Sequence, residues 1–141
     1  MRLYRKPITI GKVVLITVIM AVIMPFIFGA FNLIFGEPFF DLTGSDMMLY
    51  VFFIAATFIL LLFDRDFERG KLWGYGKVAA YSVIGGVLEG IAWGVMRLVE
   101  GEPFFSLNLL GFGISMMVLY AMLILAHRRW MNRAWRKAQL K

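Results

Sequence analysis

Apolar residues run in four long blocks along the chain, with charge gathered between them. Val13–Gly36, Met47–Phe63 and Phe104–Ala126 contain no charged residue, and Val78–Met96 contains only Glu89. Blocks of this length match the roughly 20 residues a helix needs to cross a bilayer core of about 30 Å. None alternates apolar with polar residues, as the strands of a membrane barrel would. Helices remain, because a helix satisfies its own backbone hydrogen bonds in lipid. The first block follows basic residues, as the h-region of a signal peptide does, but it exceeds the usual 7–15 residues and reads as a span.

Composition agrees with that pattern. Hydrophobic residues make up 61% of the 141, charged residues 17%, and mean hydropathy is +0.78. A soluble domain of this size could not bury so much apolar surface. The net charge of +6 is unevenly placed. Arg2, Arg5, Lys6 and Lys12 precede the first span. Arg65, Arg69, Lys71 and Lys77 lie between the second and third. Arg128, Arg129, Arg133, Arg136, Lys137 and Lys141 follow the fourth. Arg97 alone falls on the other side, among Glu37, Asp41, Asp46, Glu100 and Glu102. The positive-inside rule then puts both termini and the middle loop in the cytoplasm of a bacterial-type inner membrane. Trp73, Tyr75 and Tyr81 fall where amphipathic rings favour the headgroup layer.

The chain also repeats itself. Gly36-Glu37-Pro38-Phe39-Phe40 recurs as Gly101-Glu102-Pro103-Phe104-Phe105, and the same offset of 65 carries Gly11-Lys12-Val13 onto Gly76-Lys77-Val78 and Gly29 onto Gly94. The expected fold is an all-α membrane protein, one four-helix transmembrane domain over 1–141. It is built as two tandem parallel-repeat helical hairpins, about 6–63 and 71–128, with a basic tail over 127–141. Two hairpins entering from one side are related by an axis along the membrane normal. The GEPFF segments read as tight external turns, since Pro disfavours helix at the residue before it. A sharper alternative makes Glu37 and Glu102 the acidic mouth of a cation path.

Glu89 lies within about 3 Å of the centre of its span by helical rise. A carboxyl at that depth costs several kcal/mol and marks a functional site by default. Its structural alternative is a hydrogen bond across a helix interface to Thr17, Thr57, Ser115 or a backbone carbonyl. The equivalent position in the first repeat is Met24, and Gly90 answers to Pro25. Gly86, Gly90 and Gly94 form a small-residue stripe suited to close helix packing in lipid, beside a stripe of Ser82, Gly85, Glu89 and Trp93. Pro25 kinks the first helix and frees a carbonyl. Arg97 either snorkels outward to Glu100 or Glu102 or belongs to an anion or proton path. The tail reads as an amphipathic helix, with Arg128, Arg129, Trp130, Arg133, Trp135, Arg136 and Lys137 available to anionic lipid or a partner. Its alternative is a plain extension of the fourth span.

Without cysteine and with one histidine, the chain offers no metal or haem ligand set. Neither a phosphate loop nor a nucleophile triad appears, so no cofactor, no enzymatic activity and no nucleic-acid partner are expected. The leading functional expectation is a homo-oligomeric transporter or channel for a small solute or ion. The alternatives are an accessory, anchor or immunity-type subunit bound to a larger membrane protein, and a holin-like pore former. The orientation has a direct test. Cysteines placed at Ser45 and Ser106 label in intact cells, whereas those at Gly70 and Ala138 label only after permeabilisation; the reverse pattern inverts the topology.

Overall fold

A computed structural model describes residues 8–40 and 44–140. Arg2, Arg5, Lys6, Asp41 and Lys141 lie outside the described residues. Four helices follow one another: α1 (Ile10–Ile34), α2 (Gly44–Glu68), α3 (Tyr75–Val99) and α4 (Leu107–Gln139). All four are long and apolar enough to cross a membrane. The first three, 25 residues each, span about 37 Å, and the 33-residue α4 about 50 Å.

The helix ends follow from local chemistry. Thr9 Oγ1 accepts from the Lys12 amide at 3.3 Å, and Ser106 Oγ from the Leu109 amide at 3.2 Å, capping α1 and α4. Three glycines in the left-handed region, Gly36 (φ 78°), Gly70 (φ 81°) and Gly101 (φ 82°), close α1, α2 and α3. Each makes the paired bonds of a Schellman turn. The Glu37 amide donates to Asn32 O and the Gly36 amide to Leu33 O; Glu102 to Arg97 O and Gly101 to Leu98 O; Lys71 to Asp66 O and Gly70 to Phe67 O. Carbonyls that lipid could not satisfy are thereby paired.

The two GEPFF segments are therefore compact turns. Phe39 folds back until its ring covers Gly29, and Phe104 covers Gly94 in the same way, each where any side chain on the glycine would collide. The second phenylalanine of each pair meets the first edge-on, at 4.8 Å for Phe39–Phe40 and 4.9 Å for Phe104–Phe105.

Helix packing is uneven. α3 and α4 form the closest pair; α2 lies against both α1 and α3 and grazes α4. Among the described residues α1 touches α2 alone, so the hairpins meet along the α2–α3 edge while the α4–α1 edge stays open. The largest buried cluster, comprising Ala56, Ile59, Phe63, Trp73, Val78, Tyr120 and Ile124, joins α2, α3 and α4 towards the terminal end. On α1 the exposed side is apolar, with Val14, Val18, Val22 and Phe26 in helical succession, a surface only lipid or another membrane helix can cover.

Pro25 has no amide to donate to Ala21 O. Tyr50 of α2 supplies the missing donor, its hydroxyl bonding that carbonyl at 2.7 Å. The freed carbonyl expected from the sequence thus becomes a tie between α1 and α2.

The glycine stripe acts within the chain. Gly86 faces α4: a Cβ there would stand 3.0 Å from the Gly113 carbonyl oxygen, 3.1 Å from the Met117 amide nitrogen and against the Met117 side chain. Gly94 is held by Phe104 of its own turn. Gly90 differs, because its nearest neighbour is Leu109 Cδ1 at 4.0 Å, so it does not require a glycine for packing. Its place in the contact is taken by Gly85, whose Cβ would meet the Tyr120 ring at 2.7 Å.

Trp73 is not an interfacial ring. It is 2% exposed, stacked on Tyr81 at 4.5 Å, and donates its indole N–H to Asp66 Oδ2 at 2.8 Å. Lys77 Nζ reaches the same oxygen at 2.7 Å. Tyr75 is exposed as the interfacial reading expects.

Gly86→Ala should lower unfolding stability in detergent by about 1–3 kcal/mol, because the added methyl meets the Met117 side chain with the Gly113 and Met117 backbone close behind it. Gly90→Ala should stay within about 0.5 kcal/mol of the parent. A silent Gly86→Ala in thermal unfolding would show that α3 and α4 are not in close contact there.

Candidate functional site

The midplane acid is sealed among three helices. Glu89 of α3 and Tyr120 of α4 are both 0% exposed. The Tyr120 hydroxyl donates to Glu89 Oε1 at 3.1 Å, and the Phe52 carbonyl oxygen of α2 lies 3.5 Å from the same hydroxyl. The tyrosine ring lies 5.1 Å from that of Phe52 and flat against Gly85. Gly85 is what lets the phenol in, and the phenol is what meets the acid.

The expected partners for Glu89 were Thr17, Thr57, Ser115 or a backbone carbonyl; its partner is instead the Tyr120 hydroxyl. Thr17 Oγ1 bonds its own helix at Val13 O (2.8 Å) and Ser115 Oγ bonds Gly111 O (2.8 Å), the usual outlet for a hydroxyl in a lipid-embedded helix. Tyr120 escaped notice because it sits well towards the C-terminal end of its span by residue count. Side chains lean towards the N-terminus of their helix. In the antiparallel pair α3–α4 that lean carries Glu89 and Tyr120 towards each other, and a phenol is long enough to close the gap.

One tyrosine hydroxyl does not satisfy a carboxyl group. Glu89 Oε2 is buried without a hydrogen-bond partner among the described residues, and one turn further along α3 so is Trp93 Nε1. Trp93 packs its ring on Phe112 at 4.4 Å. Buried polar atoms are nearly always paired, and here an unmet acceptor and an unmet donor share one stripe of α3. Glu89 does not border open space in the single chain.

Arg97 continues the stripe to the end of α3. Its Nε donates to Pro103 O at 3.0 Å, and its guanidinium stands 3.6 Å from Glu102. Glu102 was among its expected partners, and Arg97 closes its own turn. Glu37 and Glu102 are exposed, each in its own turn, and no bond joins them among the described residues.

The tail continues α4 without a break, the alternative to a separate surface helix. Its first turn is tied down: His127 Nε2 lies 2.6 Å from Asp64 Oδ1, and Arg128 Nε donates to Trp73 O at 2.9 Å while its guanidinium lies 5.0 Å over the Tyr75 ring. Arg129 and Arg128 border a surface cavity with Tyr75, Met122, Leu125 and Ala126. Trp135 lines another with Phe67, Gly70, Leu72 and Asn132. Trp130, Arg133, Arg136 and Lys137 are exposed. Sequence reading missed the Asp64–His127 and Asp66–Lys77 ties, whose only signal was acids among the basic residues of a short loop.

Among the described residues no group of His, Cys, Asp or Glu is placed to hold a metal ion. Comparison with protein families, curated proteins and solved structures gives no match for this chain.

Tyr120→Phe leaves both Glu89 oxygens without a donor and should cost about 1–3 kcal/mol of stability. In a Glu89→Met background the same change should cost under about 0.5 kcal/mol. Equal costs in the two backgrounds, read as a double-mutant cycle, would show that phenol and carboxyl are not coupled.

Proposed function

We propose that this protein is a homo-oligomeric transporter or channel of a bacterial-type inner membrane, with Glu89 as the residue that takes up a proton or cation. The reading rests on Glu89 Oε2, a carboxyl oxygen in mid-span with neither solvent nor a hydrogen-bond partner. Most buried carboxyl oxygens are hydrogen-bonded, so an unpartnered one supports a role beyond packing. The hairpin does not need an acid there either, since Met24 fills the equivalent place in α1, which is also buried.

The duplication accounts for how the path closes. In both halves a 25-residue helix begins one residue after position 9 or 74 and ends in the same Schellman turn. Thr17 and Ser82, also 65 apart, make the same bond to Val13 O and Val78 O. Equivalent hairpins should use equivalent edges. α2 packs on α3 inside the chain, while α4 and α1 are left open, so α4 of one copy meets α1 of the next and a ring of hairpins surrounds the pathway. Both termini and the tail face the cytoplasm, where the exposed basic residues of α4 meet anionic headgroups.

The same open edge favours a second reading, an accessory subunit whose α1 is covered by a larger membrane protein. Mass measurement after gentle extraction separates the two: a multiple of the 16.2 kDa chain supports the ring, and a stoichiometric larger partner supports the subunit.

The functional test uses liposomes with trapped pyranine and an imposed potassium diffusion potential. Parent protein should acidify or alkalinise the lumen faster than empty vesicles, and Glu89→Gln should bring the rate to that of empty vesicles while leaving the oligomer intact. Undiminished proton flux in an assembled Glu89→Gln protein would overturn the role of Glu89.

A further inference from the structure

Where α4 leaves its apolar run, a surface cavity of about 450 Å³ lies between it and the start of α3. Arg128 and Arg129 border its charged end, Tyr75 forms one wall, and Met122, Leu125 and Ala126 line the rest. From Met122 to Arg129 the helix rises about 10 Å, somewhat more than the roughly 5–8 Å depth of one headgroup layer. The cavity therefore runs from charge into the apolar span. An occupant that meets both ends needs an anionic group and an apolar body in line.

The charged end is held in place. Arg128 Nε donates to Trp73 O at 2.9 Å, and its guanidinium lies 5.0 Å over the Tyr75 ring. Trp73 is itself buried, bonded to Asp66 and stacked on Tyr81. Of the five N–H donors of a guanidinium, those on the two terminal nitrogens have no acceptor among the described residues. The nearby acids are engaged elsewhere, Asp64 with His127 and Asp66 with Trp73 and Lys77. No carboxylate among the described residues pairs with Arg128 or Arg129. Arginine forks bind phosphate oxygens in pairs, and here one fork is already positioned. The first hairpin has no counterpart: shifted by 65 residues, Arg128, Arg129 and Tyr75 become Phe63, Asp64 and Ile10. Further along the tail, Arg133, Arg136 and Lys137 line neither this cavity nor the one at Trp135.

We propose that this corner binds one anionic phospholipid, its phosphate held by Arg128 and Arg129 and the upper part of an acyl chain laid over Met122 and Leu125. Both apolar side chains are exposed in the single chain, and a free phosphate would leave them bare. Basic pockets at the end of membrane helices are the usual seats of such headgroups. The proposal rests on the headgroup contact given above for the tail and turns it from a diffuse attraction into one fixed site. It needs neither Glu89 nor flux.

Full-length protein, delipidated in dodecyl maltoside, is titrated with dioleoylphosphatidylglycerol or dioleoylphosphatidylcholine, and bound lipid per chain is counted by native mass spectrometry. One phosphatidylglycerol per chain should be retained at least about tenfold more tightly than phosphatidylcholine. Arg129→Gln should weaken that retention about fivefold, the effect of one cation near an anionic headgroup, while Arg133→Gln, outside the cavity, should change it less than about twofold. Equal losses in the two variants would overturn the fixed site and leave the diffuse contact of the tail standing. Equal retention of the two lipids by the parent would overturn both. Displacement of phosphatidylglycerol by millimolar inorganic phosphate would assign the arginines to a free anion and overturn the lipid. Arg129 makes no bond among the described residues, so its replacement leaves the Arg128–Trp73 tie in place and the comparison readable.

Discussion

The approach of α3 to α4 at Gly85 and Gly86 sets the position of almost everything else. Between two lipid-embedded helices there is little hydrophobic driving force, because lipid is as apolar as the partner helix; contact depends on how closely backbones and side chains can interlock. Gly86 admits the Gly113 backbone and the Met117 side chain, and Gly85 admits the Tyr120 ring. With Tyr120 in place, its hydroxyl reaches Glu89 and approaches the α2 backbone at Phe52. The polar centre is thus a consequence of two missing side chains one residue apart. α2 joins this pair through Phe52, Ala56 and Phe63, and α1 joins only α2, partly through the carbonyl that Pro25 leaves unbonded. Each attachment is a smaller version of the same solution, in which an unmet backbone or side-chain group in lipid finds its one partner on the neighbouring helix.

The helices themselves were legible because hydropathy and bilayer thickness are both one-dimensional. The four apolar blocks are the four helices, and their mismatched ends have physical causes. Charge ends an apolar block but not a helix, so α2 continues through Asp64–Glu68 and α4 through the basic tail, where Arg, Lys, Gln and Ala all favour helix. At the start of α4 the reverse holds: Phe104 and Phe105 are apolar but non-helical, because Pro103 and the Ser106 cap delay the helix to Leu107. Gly36 belongs to the first block by hydropathy, yet its positive φ puts it outside α1.

The site was half legible. Depth alone identified Glu89, since a mid-span carboxyl is conspicuous in any apolar run. Its partner was not, because partner choice depends on helix pairing, rotation and side-chain lean, none of which is a property of one segment. The same limit separates Gly90 from Gly85. Both lie on α3 among small residues, and only the phase of the helix relative to α4 decides which one meets a ring. Trp73 shows the other side of this: its composition suits the interface, but an Asp66 acceptor and a Tyr81 stacking partner draw it inside.

The two hairpins differ where their interiors differ, and the differences compensate. Position 24 or 89 is Met or Glu; position 28 or 93 is Phe or Trp; position 32 or 97 is Asn or Arg. All three lie on successive turns of the first helix of each hairpin, running from mid-span to the GEPFF turn. In the second hairpin this stripe is acidic at depth, filled by stacked rings above, and closed by a cation held in its own turn. In the first it is neutral at depth and open above, with its acid at Asp46 on the facing helix. One hairpin therefore carries a buried carboxyl beneath a plugged end, and the other an open, acid-bordered cavity over an inert apolar floor. The turns and the 25-residue first helices match between the two halves, and the polarity along those helices does not.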